Sequence, residues 1–307
     1  MNYIFVLRGD NVKDLSNKNV IHIKDNDIEY LQFKKLLEYK EIINHAYALG
    51  LDVGFKTTKP DQKPTSPERM ELARTSYQKL CSSMGSDDTH IVQANQNHTD
   101  IVKIVQTKVN VDEPDFSLTE EGIEDGLITN QRNLALATTN ADCILLLFFD
   151  PVKRVIANTH SGWKGTLQRI SIKTVQKMIK EFGSKPQDII CCICPSIRKC
   201  HFEVDKDVKD MFQNEFYDLE NVKFIDIEEG NKQKVIRLRD FIEEKVENTK
   251  WNIDTVLINK ILIQREGLKP ENIIDSGICS VCHSDIIHSY RIEKKDYNTE
   301  TAIIELK

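Results

Sequence analysis

The chain has 307 residues, 40% of them hydrophobic and 29% charged, with a formal net charge of -6. That is an ordinary globular composition with length enough to bury a large core. The acidic balance, with no basic block beyond short mixed patches such as Ile292 to Lys295, argues against a partner bound by phosphate neutralisation, so no nucleic acid is expected.

Met1 to Gly9 lacks the cationic stretch, apolar core and cleavage site of a secretion signal. The longest unbroken apolar run, Cys143 to Phe149, falls far below the ~18 residues of a membrane span. Eight cysteines spread through such a chain read as reduced thiols or metal ligands. These features predict a cytoplasmic protein without a membrane partner.

In chain order, Lys56 to Pro67 is the one linker-like stretch, with three prolines and no large apolar residue. A helix follows. Ser66 caps it, Pro67 fits the first turn, Met70, Ala73, Tyr77, Leu80 and Met84 recur at helical spacing, and Gly85 stops it. Ile101 to Thr107 alternates like a half-buried strand. Leu134 to Thr138, Cys143 to Phe149, Val155 to Asn158 and Ile189 to Cys194 have the length of buried strands. A second helix is predicted from Thr166 to Phe182, burying Leu167, Ile170, Val175, Met178, Ile179 and Phe182 and ending at Gly183. Further helices are expected over Asp205 to Phe216 and Asp254 to Glu266, and a terminal strand over Ala302 to Leu306. The class is mixed α and β, and residues 1–307 read as a single domain.

Three short segments each place a soft ligand at the edge of an apolar strand: Gln96-Asn97-His98-Thr99, Thr139-Asn140-Ala141-Asp142-Cys143, and Thr159-His160-Ser161-Gly162-Trp163-Lys164-Gly165. Two imidazoles and a thiolate suit zinc, and three protein ligands leave a fourth position open, as in catalytic sites. Asp142 is a candidate partner for an imidazole N–H, and Gly162 and Gly165 allow close backbone approach. Spacings of 45 and 17 residues between the ligands match no compact zinc motif. A core cysteine and carbonyl-bonded histidines are the competing reading.

Six motifs carry a resemblance: Gln96-Asn97-His98; Asp125-Gly126-Leu127-Ile128-Thr129; Ala141-Asp142-Cys143; His160-Ser161-Gly162-Trp163-Lys164-Gly165; Pro195-Ser196-Ile197 with Cys200-His201-Phe202-Glu203-Val204; and Ser289-Tyr290-Arg291. In these, over about Gln96 to Arg291, the chain resembles the YfiH-like family, also called the laccase-domain or "multicopper polyphenol oxidase" family. The resemblance implies two mixed β-sheets in an α-β-β-α layered sandwich, with residues 1–65 a divergent part of the same domain. It implies zinc on His98, Cys143 and His160, with copper possible in vitro. It also implies phosphorolysis of purine nucleosides (adenosine, inosine and methylthioadenosine) with adenosine deamination beside it. The partners are then purine nucleosides and phosphate, in a monomer or homodimer.

The chain departs from that family in three places. His45 to Asp52 lacks the arginine and paired glycines of Thr-Arg-x-Gly-Gly-Val-Ser, Cys194 precedes Pro195-Ser196-Ile197 where glycine is usual, and Ile292 and Thr299-Glu300-Thr301 stand where a second arginine and Thr-Gly-Arg are usual. The metal ligands are thus intact while substrate-contacting positions differ. Cys143, Asp142, Lys164 and Arg291 are the catalytic candidates, the two cations serving phosphate. Gln96, Cys200 and His201 are the candidates for lining the substrate pocket.

Two other chemistries use the same residues. Cys143 with a histidine base is a cysteine hydrolase arrangement, for which a cell-wall precursor (peptidoglycan editing) is a conceivable substrate. A copper-binding polyphenol oxidase is disfavoured, since the chain has eight histidines and no His-x-His pair. Cys279-Ser280-Val281-Cys282-His283 resembles half a zinc knuckle, but no second Cys-x-x-Cys completes it, and Cys191 to Cys194 reads as a buried strand.

Overall fold

The central strands form where both faces of an apolar run find cover. The structure, a computed structural model, describes residues 13–25, 28–55, 66–86, 90–106, 115–118, 123–227, 230–245 and 249–307. In chain order the strands are β1 (Val20–Asp25), β2 (Ile28–Phe33), β3 (Ile43–Leu49), β4 (His90–Gln93), β5 (Val102–Ile104), β6 (Asp115–Leu118), β7 (Gly126–Thr129), β8 (Ala135–Asn140) and β9 (Ile144–Asp150). There follow β10 (Val155–Ser161), β11 (Ile190–Ile193), β12 (Glu203–Val204), β13 (Lys223–Asp226), β14 (Lys232–Val235), β15 (Ile242–Lys245), β16 (Lys250–Ile253), β17 (Ile273–Asp275) and β18 (Glu300–Leu306). The helices are α1 (Lys34–Leu37), α2 (Pro67–Met84), α3 (Trp163–Leu167), α4 (Ile170–Phe182), α5 (Lys206–Glu215), α6 (Leu238–Phe241), α7 (Thr255–Arg265) and α8 (Tyr290–Glu293).

Two sheets dominate. One runs β1-β2-β3-β18-β8-β4-β6, the other β17-β11-β9-β10-β7-β5, and two- and three-stranded ribbons complete the set. Both large sheets are mixed: β4 is parallel to β6 and β8, β5 to β7 and β11 to β17, while the other pairs are antiparallel. The expected fold class is the observed one.

The layering follows from side-chain alternation. Leu145, Leu147 and Phe149 of β9 enter a central core with Leu136 of β8 and Ile304 of β18, so this core lies between the sheets. Ile144, Leu146 and Phe148 point the other way, into a core with Val175 and Met178 of α4 and Ile263 of α7. The outer face of the first sheet packs Ala46, Ala135 and Ile303 against Tyr77 and Leu80 of α2. Because both faces of β9 are buried, its sequence is a continuous apolar run rather than an alternation. Each such fully buried side chain contributes about 1.5–3 kcal/mol of transfer free energy.

The helix over 67–84 stands as its signals predict: Ser66 accepts from the Arg69 N–H, Pro67 opens the first turn, and Gly85 closes it at φ 63°. The helix expected over 166–182 is two helices. Arg169 breaks it at φ 59°, with its guanidinium held by Glu215 and Asp218 and lying 5.2 Å from the Phe216 ring. Apolar periodicity runs through that break, so it hides it. The strand expected over 101–107 is shorter, residues 102–104, and Thr107 and most of the 56–67 linker lie outside the described residues. Strands β1 to β3 went unread because their apolar residues are interspersed with His, Asn and Gln. No described helix is long and apolar enough to cross a membrane.

Glu300 is fully buried on β18, in the interior of the larger sheet. Its Oε1 accepts from the His288 N–H at 2.8 Å, while Oε2 has no partner among the described residues. Burial pushes its carboxyl well above the usual carboxylate range, and nearby Glu293 and Asp142 add to this. The folded chain therefore keeps a proton that the unfolded chain releases above its ordinary value of about 4.3. Stability from this group is complete below that value and falls as pH rises above it. Glu300→Gln is expected to flatten the fall in melting temperature between about pH 5 and 8 and to melt above the wild type at the upper end. Parallel pH profiles for the two proteins would show the residue to be charged in the fold.

Candidate functional site

Register brings the three ligands together. In the antiparallel pair β9–β10, His160 faces Leu145 and Ser161 faces Ile144, so Cys143 and His160 sit at one end of the sheet. On the other side of β10, Gly126 of β7 faces Thr159, and Val102 of β5 faces Gly126. Asp125, just before β7, therefore lies between His160 and the loop that leads from His98 into β5. Strand β10 continues through His160, which is held by the ladder rather than by the loop expected from sequence.

The Asp125 carboxylate gathers that loop. It accepts the backbone N–H groups of Asn97 (3.2 Å), His98 (3.0 Å) and Thr99 (2.6 Å), the Thr99 hydroxyl (2.7 Å), and the His160 Nδ1–H (2.7 Å). Its main chain adds two links, donating to the Ile101 carbonyl and accepting from the His160 N–H. With Nδ1 committed, His160 presents Nε2 to Cys143. The grip also holds His98 at φ 59°, a left-handed conformation rare outside glycine.

The charges on this trio are mutually supporting. Burial alone would raise the Cys143 thiol, but His160 and then His98 outweigh it and hold it at about 6. Burial alone would lower His160, but Cys143 and Asp125 carry it up to about 9. Burial would raise Asp125, yet its bonds to His160 and Thr99 hold it at about 2. The chain thus favours a thiolate at Cys143 by its own charges, which is the form a metal or an electrophile needs.

A metal fits these donors. Cys143 Sγ and His98 Nε2 are 3.9 Å apart, the His98 and His160 rings meet edge-on at 5.0 Å, and all three donor atoms lie within 4.8 Å of one another. A tetrahedral ion with bonds of about 2.0 and 2.3 Å needs a nitrogen–sulfur separation near ~3.5 Å. Gly162 shows how closely the ligands wrap the backbone. A Cβ there would stand 2.7 Å from His98 Cδ2, 3.1 Å from Cys143 Sγ and 3.4 Å from His160 Cε1. His98 is exposed, Cys143 half-buried and His160 buried, so the trio opens towards solvent on the His98 side.

The other candidates are placed as follows. Gln96 clamps the loop to β8, its Nε2 donating to the Thr139 carbonyl and its Oε1 accepting the Thr139 N–H, both at 2.7 Å. Asp142, at φ 87°, meets no imidazole; its carboxylate accepts from Ser280 Oγ, Ser289 Oγ and the Arg291 N–H. The imidazole partner anticipated there is Asp125. Lys164 is exposed, two residues beyond Gly162, with Nζ 5.5 Å from the Trp163 ring. Arg291 is joined through its N–H to the residue beside Cys143, and its guanidinium donates to the Glu203 carbonyl. Cys200 and His201 group with Cys279 and Cys282. Sequence reasoning assigned no role to Asp125, although its motif was visible, nor to Tyr297. The Tyr297 hydroxyl is raised by burial and by the nearby Cys143, and its ring meets Tyr290 edge-on at 5.2 Å.

The model of the family described as "Multi-copper polyphenol oxidoreductase laccase" matches residues 65–307. Purine nucleoside phosphorylase LACC1 of Homo sapiens is 29% identical over 187 residues, covering 60% of this chain and 38% of that protein. Purine nucleoside phosphorylase YlmD of Bacillus subtilis is 28% identical over 183 residues, 60% of this chain and 59% of that one. Both matches span less than two thirds of the relative's length. Adenosine deaminase RL5, from an unknown prokaryotic organism, is 25% identical over 228 residues, covering 73% of this chain and 78% of that protein. The crystal structure of Bacillus licheniformis hypothetical protein YfiH shares the fold with a TM-score of 0.72 at 22% identity, over 93% of this chain and 99% of that one.

The contacts around Gly162 generate a direct test. Gly162→Ala forces the His98 ring away from the other donors while leaving every donor atom in the chain. Metal affinity, read by competition with a chromogenic chelator, is expected to fall about 10- to 100-fold. An unchanged affinity would mean that the three donors do not share an ion.

Proposed function

We propose that this chain, which belongs to the multi-copper polyphenol oxidoreductase laccase family, is a zinc-dependent purine nucleoside phosphorylase acting on adenosine, inosine and methylthioadenosine. The observation that carries this reading is the convergence of His98, Cys143 and His160 on one point, open on the His98 side. A zinc ion held by these three would keep a fourth position free and act there as a Lewis acid.

The chain's own groups supply the rest. In phosphorolysis a phosphate oxygen bonds to the anomeric carbon as the bond to the purine nitrogen breaks, so the site must hold a dianion and accommodate a departing base. Lys164, two residues beyond Gly162, and Arg291, whose main chain is bonded to Asp142 beside Cys143, offer positive charge to the phosphate. Tyr290 and Tyr297 form an aromatic pair beside Cys143, a surface suited to a purine ring. Asp142 anchors the Arg291 main chain and so positions that cation. Adenosine deamination is a companion activity supported by the RL5 relative. Nucleoside and phosphate substrates, together with eight cysteines in the free state, favour a cytoplasmic setting.

A second reading has its own observation. Asp125, His160 and Cys143 form a carboxylate–imidazole–thiolate array, the order used by cysteine hydrolases. A cell-wall precursor is the substrate class it suggests.

The two separate in one assay series. Zinc-loaded protein incubated with each nucleoside is expected to release free purine base only when phosphate is added, and ammonia from adenosine without it. Chelation and Cys143→Ala are both expected to abolish turnover. Activity that survives chelation but is lost on thiol alkylation favours the hydrolase, and no product from any nucleoside removes that substrate class.

A further inference from the structure

We propose that Cys200, His201, Cys279 and Cys282 form a second metal site, a closed tetrahedral zinc centre separate from the His98–Cys143–His160 trio. Distances carry the inference. Cys200 Sγ lies 3.7 Å from Cys279 Sγ and 4.0 Å from Cys282 Sγ, and His201 Nδ1 lies 3.1, 3.6 and 3.5 Å from Cys200, Cys279 and Cys282. With zinc–sulfur bonds of about 2.3 Å and zinc–nitrogen bonds of about 2.0–2.1 Å, a regular tetrahedron has edges of ~3.8 Å between sulfurs and ~3.5 Å between sulfur and nitrogen. The five separations scatter around those edges, and no pair of the four donor atoms exceeds 4.8 Å.

Topology explains how two halves far apart in sequence meet. Strands β11 and β17 are parallel neighbours, Cys192 facing Ile274 and Ile193 facing Asp275, so their following loops leave the sheet side by side. The loops are then laced together: Ser196 bridges to Cys279, Ser280 N–H donates to the Ser196 carbonyl, and Ser196 N–H donates to the Ile278 carbonyl. Arg198 adds a staple, donating to the Ile278 carbonyl, to Asp275 and to Ser276 Oγ. Cys279 and Cys282 keep the Cys-x-x-Cys spacing of structural zinc sites. Their missing second half is the adjacent pair Cys200–His201.

Three thiols and an imidazole around one centre are a ligand set, not a disulfide pair, since oxidation of any two cysteines strands the third. The donor set is soft enough for zinc, and four protein ligands leave no position for water or substrate, so the centre is structural. It fixes the segments that present Ser280 to Asp142 and carry on to Ser289 and Arg291. Cys200 and Cys282 are exposed, which gives an ion access to the assembled ligands.

The test is elemental analysis of chain expressed with zinc and purified without chelator. Two zinc ions per chain are expected in the wild type, one in Cys143→Ala, and one in Cys282→Ser, whose exposed position makes it less disruptive than the buried Cys279. X-ray absorption at the zinc edge of the Cys143→Ala protein should report three sulfurs and one nitrogen. A wild type with a single zinc that Cys282→Ser does not lower would overturn the proposal. So would peptide mapping that finds Cys200 joined to Cys279 or Cys282 as a disulfide.

Discussion

The Asp125 carboxylate is the interaction on which the ligand trio depends. It is fully buried and accepts five hydrogen bonds, one of them from His160. Bonds to a charged acceptor contribute about 1.5–3 kcal/mol each, which offsets the cost of burying the charge. Three of the donors are consecutive backbone N–H groups that no strand or helix would otherwise satisfy. One side chain thus turns a loop without secondary structure into a fixed support for His98, and at the same time sets which nitrogen of His160 is free.

The sheets supply what Asp125 cannot. Cys143 and His160 owe their spacing to the ladder between β9 and β10, and that ladder is buried on both faces, so neither strand can slip without exposing an apolar row. Two kinds of Cys/His grouping then occur on one scaffold. The trio gathers a loop and the ends of two antiparallel strands and stays open, whereas the four donors on the loops after β11 and β17 close on themselves. Asp142 lies between them, beside Cys143 and bonded to Ser280, with its left-handed backbone fixed by that bonding.

Much of this was legible in the residues. The run from Cys143 to Phe149 announces a strand covered on both sides, and Ser66, Pro67 and Gly85 mark their helix because capping is local chemistry. The trio was legible as ligand types at strand edges. What escaped was whatever depends on pairing between distant segments. Asp125 reads as one acid among 48 acidic residues until register sets it beside His160. Cys279 and Cys282 look like half a motif because their complement lies about eighty residues upstream, on the loop of a neighbouring parallel strand. The break at Arg169 was hidden for the opposite reason: apolar spacing persists across it, and only contacts to Glu215 and Asp218 reveal why the backbone turns.

Strand β18 sits inside the larger sheet, paired with β3 on one side and β8 on the other. Those partners are separated from it by some 250 and 160 residues of chain, so during synthesis both wait with unsatisfied edges until residues 300–306 have left the ribosome. Among the described strands the sheet is therefore completed last at its middle, and its assembly is dominated by long-range pairing, which is slow. The exposed edges of β3 and β8 are, for that interval, the part of the nascent chain most in need of a chaperone.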